Sequence, residues 1–352
     1  LIKLLIVDDS ALMRRQLIAL FEAEGGFEIR LARNGKEAVE ENTFFKPDVV
    51  ALDINMPEMD GLTALSLIMA QRLVPVVMVS SLTEKGALAT FEALALGAVD
   101  YVGKPEGTIS LSIDLIRREL ISKVRTASRA RPKTARGLAS RIKDERTQQK
   151  PPCPAIVRRG IAGECVVIIG VSTGGPRTLE DILPLLPADL PWPVLVAQHM
   201  PASFTLPFAV RMNELCPLRV IEAARAMPLE AGAIYIGKGG ADLVLTRRGA
   251  CVTVLAMPES KDFLWHPSVE LMGRSALEHW DPARVVAVML TGMGYDGADA
   301  FAEIKKRGGR TIAESEESAV VFGMPAELIK RGGASIVLSA DKIANQIISW
   351  VK

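Results

Sequence analysis

The sequence predicts an α/β protein made of two doubly wound parallel-sheet domains, on three observations. In residues 1–105, short β-rich apolar runs alternate with stretches of helical spacing. That rhythm stops near Thr126 and resumes at Cys165. In both halves the apolar runs end on polar residues able to do chemistry, and ligands in such sheets sit at the carboxyl ends of strands.

The predicted amino-terminal strands are Leu4–Val7, Phe27–Leu31, Val49–Leu52, Val76–Val79 and Val99–Val102, with helices such as Ala11–Glu24 and Gly61–Gln71 between them. Five βα units in about 120 residues suit the flavodoxin-like strand order. From 126 to 160 the chain is rich in Arg, Lys, Ser, Gln and Pro, ends in Pro151-Pro152-Cys153-Pro154, and cannot bury a core; it reads as an interdomain linker. This sets boundaries of 1–125, 126–160 and 161–352. Beyond it, strands are predicted at Cys165–Gly170, Val194–Gln198, Arg219–Ile221, Ala233–Ile236, Leu243–Thr246, Val252–Leu255 and Val285–Leu290. Helical spacing marks Ser203–Leu215, Val269–Trp280, Ala298–Lys306 and Asp341–Val351. Two runs flanking Arg247-Arg248-Gly249 predict an antiparallel hairpin attached to a Rossmann-like sheet.

Composition narrows the function classes. Lys plus Arg total 42 against 41 Asp plus Glu, so no net basic charge argues for nucleic acid or an anionic membrane. No apolar run approaches the roughly 20 residues of a membrane span. Leu1–Asp9 closes in two acids, unlike a secretory signal, and its missing Met suggests an incomplete terminus. Cys153, Cys165, Cys216 and Cys251 form no C-x-x-C pair, which favours isolated thiols in a reducing cytosol over zinc or disulfides.

Asp8 and Asp9 follow the first strand and Asp53 closes the third, so three carboxylates should converge. Clustered carboxylates repel one another and suit a hard cation such as Mg²⁺. Ser80 at the end of the fourth strand and Lys104 at the end of the fifth join the same rim. A lone strand-end acid is ordinarily just solvated; this set together suits phosphoryl acceptance on a carboxylate. Val7-Asp8-Asp9-Ser10, Asp53-Ile54-Asn55-Met56-Pro57, Asp60-Gly61, Ser80 and Lys104-Pro105 resemble the receiver domain of two-component response regulators. The resemblance implies phosphorylation of Asp53 by a cognate histidine kinase. It also implies Mg²⁺ binding by Asp9, Asp53 and the Asn55 carbonyl with help from Asp8, and a switch role for Tyr101.

In the second half, Gly170-Val171-Ser172-Thr173-Gly174-Gly175-Pro176 joins a buried strand to a helical stretch and fits G-x-S-x-G. Alone it is equally a phosphate-binding turn. Two further strand ends shift the balance, one running into His199-Met200-Pro201 and one into Thr291-Gly292-Met293-Gly294-Tyr295-Asp296-Gly297. If those strands flank the first, His199 can take the Ser172 proton and Asp296 can fix the imidazole tautomer. Glycines 292, 294 and 297 would admit backbone N–H groups to an oxyanion. His279 falls at a helix end and His266 in a loop, poorer contexts for a base. The chain order Ser, His, Asp differs from the Ser, acid, His order of α/β-hydrolases.

These motifs, with Gln198-His199-Met200-Pro201 and Pro267-Ser268-Val269, resemble the catalytic domain of chemotaxis methylesterases. The resemblance implies Ser172 as nucleophile, His199 as general base, Asp296 as its orienter, and oxyanion donors from the backbone of Thr173 and Met293. It implies a cytoplasmic enzyme that hydrolyses glutamyl methyl esters on chemoreceptors, deamidates some glutamines, uses no cofactor in the esterase site, binds no nucleic acid and does not insert into membranes. An esterase joined through a long linker to a phosphorylatable module suggests control by interface, with the unphosphorylated receiver covering the Ser172 cleft. One segment departs from the family: Trp265-His266-Pro267-Ser268-Val269-Glu270 stands where His-Arg-Pro-Ser-Val-Asp is common. The rival readings are a phospho-dependent adaptor, a serine amidase with another substrate, and a DNA-binding output.

Overall fold

A computed structural model describes residues 1–81, 83–104, 109–130, 132, 165–249 and 251–351. The chain divides into two compact units, residues 1–158 and 159–352. Nearly all of the expected linker, with Cys153 and also Pro105, lies outside the described residues.

The first unit runs β1 (Ile2–Val7), α1 (Ala11–Glu24), β2 (Phe27–Ala32), α2 (Gly35–Phe44), β3 (Val49–Asp53), α3 (Gly61–Gln71), β4 (Val76–Ser81), α4 (Glu84–Leu96), β5 (Asp100–Lys104) and α5 (Ile109–Ala127). Its five strands are all parallel in the order β2-β1-β3-β4-β5, the expected flavodoxin-like order. β3 is buried along its whole length, as a central parallel strand covered on both faces must be. Polar residues set where helices begin: the side chains of Ser10, Asp60 and Thr83 each accept a backbone N–H three residues on, from Met13, Thr63 and Gly86. β4 runs one residue past Ser80, and α5 runs two past residue 125.

Gly61 is fixed by packing, because a Cβ there would lie 2.0 Å from the Asp53 carbonyl oxygen. Gly61→Ala is therefore expected to destabilise this unit by about 3 kcal/mol through overpacking against rigid backbone. Faster amide exchange in β3 and α3 would show it.

The second unit runs β6 (Val166–Val171), α6 (Gly175–Ile182), β7 (Val194–Gln198), α7 (Ala202–Leu215), β8 (Arg219–Ala223), β9 (Met227–Pro228), β10 (Ala233–Gly237), β11 (Ala241–Arg248) and β12 (Cys251–Pro258). It continues with α8 (Val269–His279), β13 (Val285–Met289), α9 (Ala298–Lys306), β14 (Arg310–Glu314), α10 (Met324–Lys330), β15 (Ile336–Leu338) and α11 (Ala340–Ser349). Seven parallel strands form one sheet in the order β15-β14-β13-β6-β7-β10-β8. β11 and β12 make the predicted hairpin, with Arg248 opposite Cys251, and β9 adds a short third antiparallel strand. β14 and β15 were not legible in sequence: one is interrupted by Thr and Glu, the other is three residues long.

Each sheet has a point where successive connections leave in opposite directions. In the first unit it lies between β1 and β3; in the second, between β6 and β13. A doubly wound sheet opens a crevice at that point, at the carboxyl ends of the strands. No helix among the described residues is long and apolar enough to cross a membrane.

Candidate active site

In the first unit the crevice holds Asp8, Asp9 and Asp53, whose carboxylate oxygens lie within 4.8 Å of one another. Lys104 Nζ reaches Asp8 Oδ2 at 2.9 Å and Asp53 Oδ2 at 2.8 Å. Burial is the largest influence on the Asp53 carboxyl and raises it above the ordinary carboxylate value, although Lys104 pulls the other way. For Lys104 burial is again the largest single influence and disfavours the cation, yet the two carboxylates together outweigh it and raise the ammonium above its usual value. Three convergent hard oxygen donors, one of them exposed, fit a small divalent cation.

Ser80 is buried on this rim with its hydroxyl 3.3 Å from the Gly86 carbonyl, and Asn55 is exposed beside Asp53. Tyr101 is buried in β5, away from solvent. The Lys123 ammonium lies 5.0 Å from its ring centroid and donates to its carbonyl at 2.7 Å.

In the second unit Ser172 directly follows β6, His199 follows β7 and Asp296 lies seven residues beyond β13. Because β13 and β7 flank β6, all three fall at one edge of the sheet. Backbone bonds lock the strand ends together: Ser172 N donates to Thr291 O at 3.0 Å, and His199 N donates to Val171 O at 3.1 Å. The buried Gln198 amide ties the same two loops, donating to the carbonyls of Ser172 at 3.1 Å and His199 at 3.0 Å.

His199 Nε2 lies 2.9 Å from Asp296 Oδ2. Asp296 is only 4% exposed. It also accepts from Val269 N at 2.7 Å, Glu270 N at 3.0 Å and Ser268 Oγ at 3.1 Å. Those two amides are the first turn of α8, whose amino-terminal dipole favours an anion. Burial alone would raise the Asp296 carboxyl, but its bond and charge interaction with His199 and the two backbone amides outweigh it and hold the group below its ordinary value. The anionic form of Asp296 is thereby favoured.

His199 Nδ1 is buried and has no hydrogen-bond partner among the described residues. With Nε2–H committed to the Asp296 carboxylate, Nδ1 carries the lone pair on the side left for a proton donor. The Ser172 hydroxyl is not bonded to it in this arrangement; such contacts are often long before substrate binds.

Glycines make the close approach possible. A Cβ on Gly292 would lie 2.8 Å from the Ser172 Cβ, and one on Gly175 would lie 2.0 Å from Gln198 Oε1. The Thr291 hydroxyl donates to the Thr173 carbonyl at 2.9 Å and accepts from Val321 N at 2.9 Å, while Thr291 N donates to the buried Glu314 carboxylate at 2.7 Å. Thr291 thus ties the Thr173 turn to the start of the loop that carries Met293. His266 stands apart, its Nδ1 2.8 Å from the buried Asp242, and His279 ends α8.

Residues 167–347 match the family described as CheB methylesterase, and residues 4–114 match the response regulator receiver domain. A protein-glutamate methylesterase/protein-glutamine glutaminase of Rhodospirillum rubrum is 56% identical over 99% of this chain and 96% of its own length. The chain belongs to that family. A protein of the same name from Rhodopseudomonas palustris is 49% identical over 99% of this chain and 98% of its own length. The CheB methylesterase catalytic domain of Thermotoga maritima, a crystal structure, is 38% identical; the match covers 54% of this chain and all of that one, with a TM-score of 0.52.

Within the second unit, the structure pairs His199 with Asp296 and puts Ser172, Thr173 and Met293 on loops that follow the neighbouring strands β6 and β13. It adds Gln198, Ser268 and Thr291 as residues that hold them. Ser268 was legible as a polar residue before an amphipathic helix, and it caps α8 at Leu271 N. Trp265 stood out in sequence only within the segment that departs from the family, and nothing local to it showed that it stacks on His199.

Proposed function

We propose that this chain hydrolyses methyl esters of glutamate side chains on the cytoplasmic domains of chemoreceptors, releasing methanol, under the control of phosphorylation at Asp53. Deamidation of receptor glutamines is the same chemistry with ammonia as leaving group. The observation that carries this reading is the His199–Asp296 pair, with Nε2 held at 2.9 Å and Nδ1 left without a partner among the described residues, on a strand end bonded to the one that carries Ser172.

In this mechanism Ser172 Oγ attacks the ester carbonyl while His199 Nδ1 takes its proton. Asp296 stabilises the imidazolium through Nε2–H. Backbone N–H groups of Thr173 and Met293 stabilise the oxyanion. The proton on Nδ1 then passes to the departing methoxide, giving methanol and an acyl-serine. Water, deprotonated by the same nitrogen, attacks that acyl group; the free glutamate carboxylate leaves and Ser172 regains its proton.

In the receiver, Asp53 is the phosphoryl acceptor, with a histidine kinase as donor. Asp8, Asp9, Asp53 and the Asn55 carbonyl would hold Mg²⁺. When bound, the ion neutralises charge on the transferring phosphoryl group. Lys104 and Ser80 receive the new phosphate oxygens, and Tyr101 responds to that change. The linker of residues 126–160 lets one unit act on the other, in the cytosol where receptor tails are exposed.

The test is methanol release from methylated receptor membranes, with and without a phosphodonor. Wild type should release methanol faster with the donor, and Asp53→Asn should lose that response. Absence of release from wild type under both conditions would overturn the proposal.

A further inference from the structure

We propose that Trp265 is a positioning residue for the base: its indole fixes the plane of the His199 imidazole and favours the charged ring formed during turnover. This rests on the esterase reading above and goes beyond it. The two rings are stacked with centroids 5.8 Å apart and planes 4° from parallel. A single bond from Nε2 to Asp296 leaves the imidazole free to turn about that bond, which would swing Nδ1 out of the position the proposed proton transfer needs. A parallel indole removes that freedom.

The indole is itself held. Tyr295 meets it edge-on at 5.3 Å and 88°. On another side lies Gly294, with φ of +89°, where a Cβ would lie 2.9 Å from the ring. The next residue, His266, is clamped through Nδ1 to Asp242 at 2.8 Å, and Asp242 also accepts from Ser268 N at 2.8 Å and Ser260 N at 2.9 Å. Asp242 is 1% exposed, so this clamp fixes the Trp265 backbone without help from His199. When Nδ1 takes the serine proton the imidazole becomes a cation against an aromatic face, an attraction absent in the neutral ground state.

The experiment compares Trp265→Leu with Trp265→Phe in the full-length chain. Three readouts are followed: methanol release from a short peptide carrying one glutamyl methyl ester, the same from methylated receptor membranes, and labelling of Ser172 by a fluorophosphonate. The leucine variant should lower kcat on both substrates and the labelling rate by about tenfold, with KM within twofold and the thermal midpoint unchanged. The phenylalanine variant should recover most of the loss. Normal peptide turnover and labelling with a defect only on receptor membranes would make Trp265 a docking residue and overturn the proposal. A phenylalanine variant as impaired as leucine, or a loss that follows a lowered thermal midpoint, would overturn it too. Fluorophosphonate labelling needs no glutamyl ester, so wild type that labels at Ser172 but releases no methanol would count against the substrate and still test the role of Trp265.

Discussion

Ser172→Ala is expected to reduce methanol release by at least about 10⁴-fold while leaving the fold intact. Among the described residues, the bonds Ser172 makes are through its backbone: N to Thr291 O at 3.0 Å, and its carbonyl accepting from Gly175 N at 2.8 Å and Gln198 Nε2 at 3.1 Å. Alanine keeps all three. Loss of the hydroxyl therefore removes the attacking oxygen with a stability change within about 0.5 kcal/mol. Methanol assays alongside thermal unfolding check both halves. An alanine variant retaining more than a tenth of wild-type turnover would exclude a serine mechanism. A chain acting only as an adaptor would keep its signalling output in the same variant.

Asp296→Asn should lower kcat by about 10⁴-fold and also cost about 1–3 kcal/mol of stability. Four donors converge on this carboxylate: His199 Nε2, Val269 N, Glu270 N and Ser268 Oγ. An asparagine offers one acceptor oxygen where the carboxylate offers two, and its NH₂ would face donors. Relief comes if the imidazole changes tautomer, so that Nε2 accepts and Nδ1 carries the proton. Nδ1 then cannot take a proton from Ser172. At the α8 terminus a backbone N–H loses its acceptor in a buried place, which accounts for the stability loss. Methanol release and urea unfolding on one preparation measure the two effects. Turnover near wild type would show that Asp296 is only a structural anchor for α8.

Much of this was legible before any coordinates. The predicted helices Ala11–Glu24, Gly61–Gln71 and Ala298–Lys306 and the strand Val194–Gln198 have the bounds seen in the structure, because amphipathic spacing, capping residues and unbroken apolar runs are local signals. β14 and β15 lie at one margin of the second sheet, where polar residues are tolerated and the pattern weakens. The five residues of the serine site were nameable because each follows or lies near the end of an apolar strand. Gln198, Thr291 and Trp265 act through neighbours distant in sequence, so the motifs that contain them do not say what they hold.

The sequence by itself determined the two α/β patterns and the residues of each strand end, since strand periodicity and glycine-rich turns are written within a few residues. Only the tertiary structure decided that β6 lies between β13 and β7, and that Asp296 takes Nε2 and leaves Nδ1 without a partner among the described residues. Strand order is a contest among buried faces of similar hydrophobicity, and ring orientation depends on which donors α8 delivers from elsewhere in the chain. Neither is a local property.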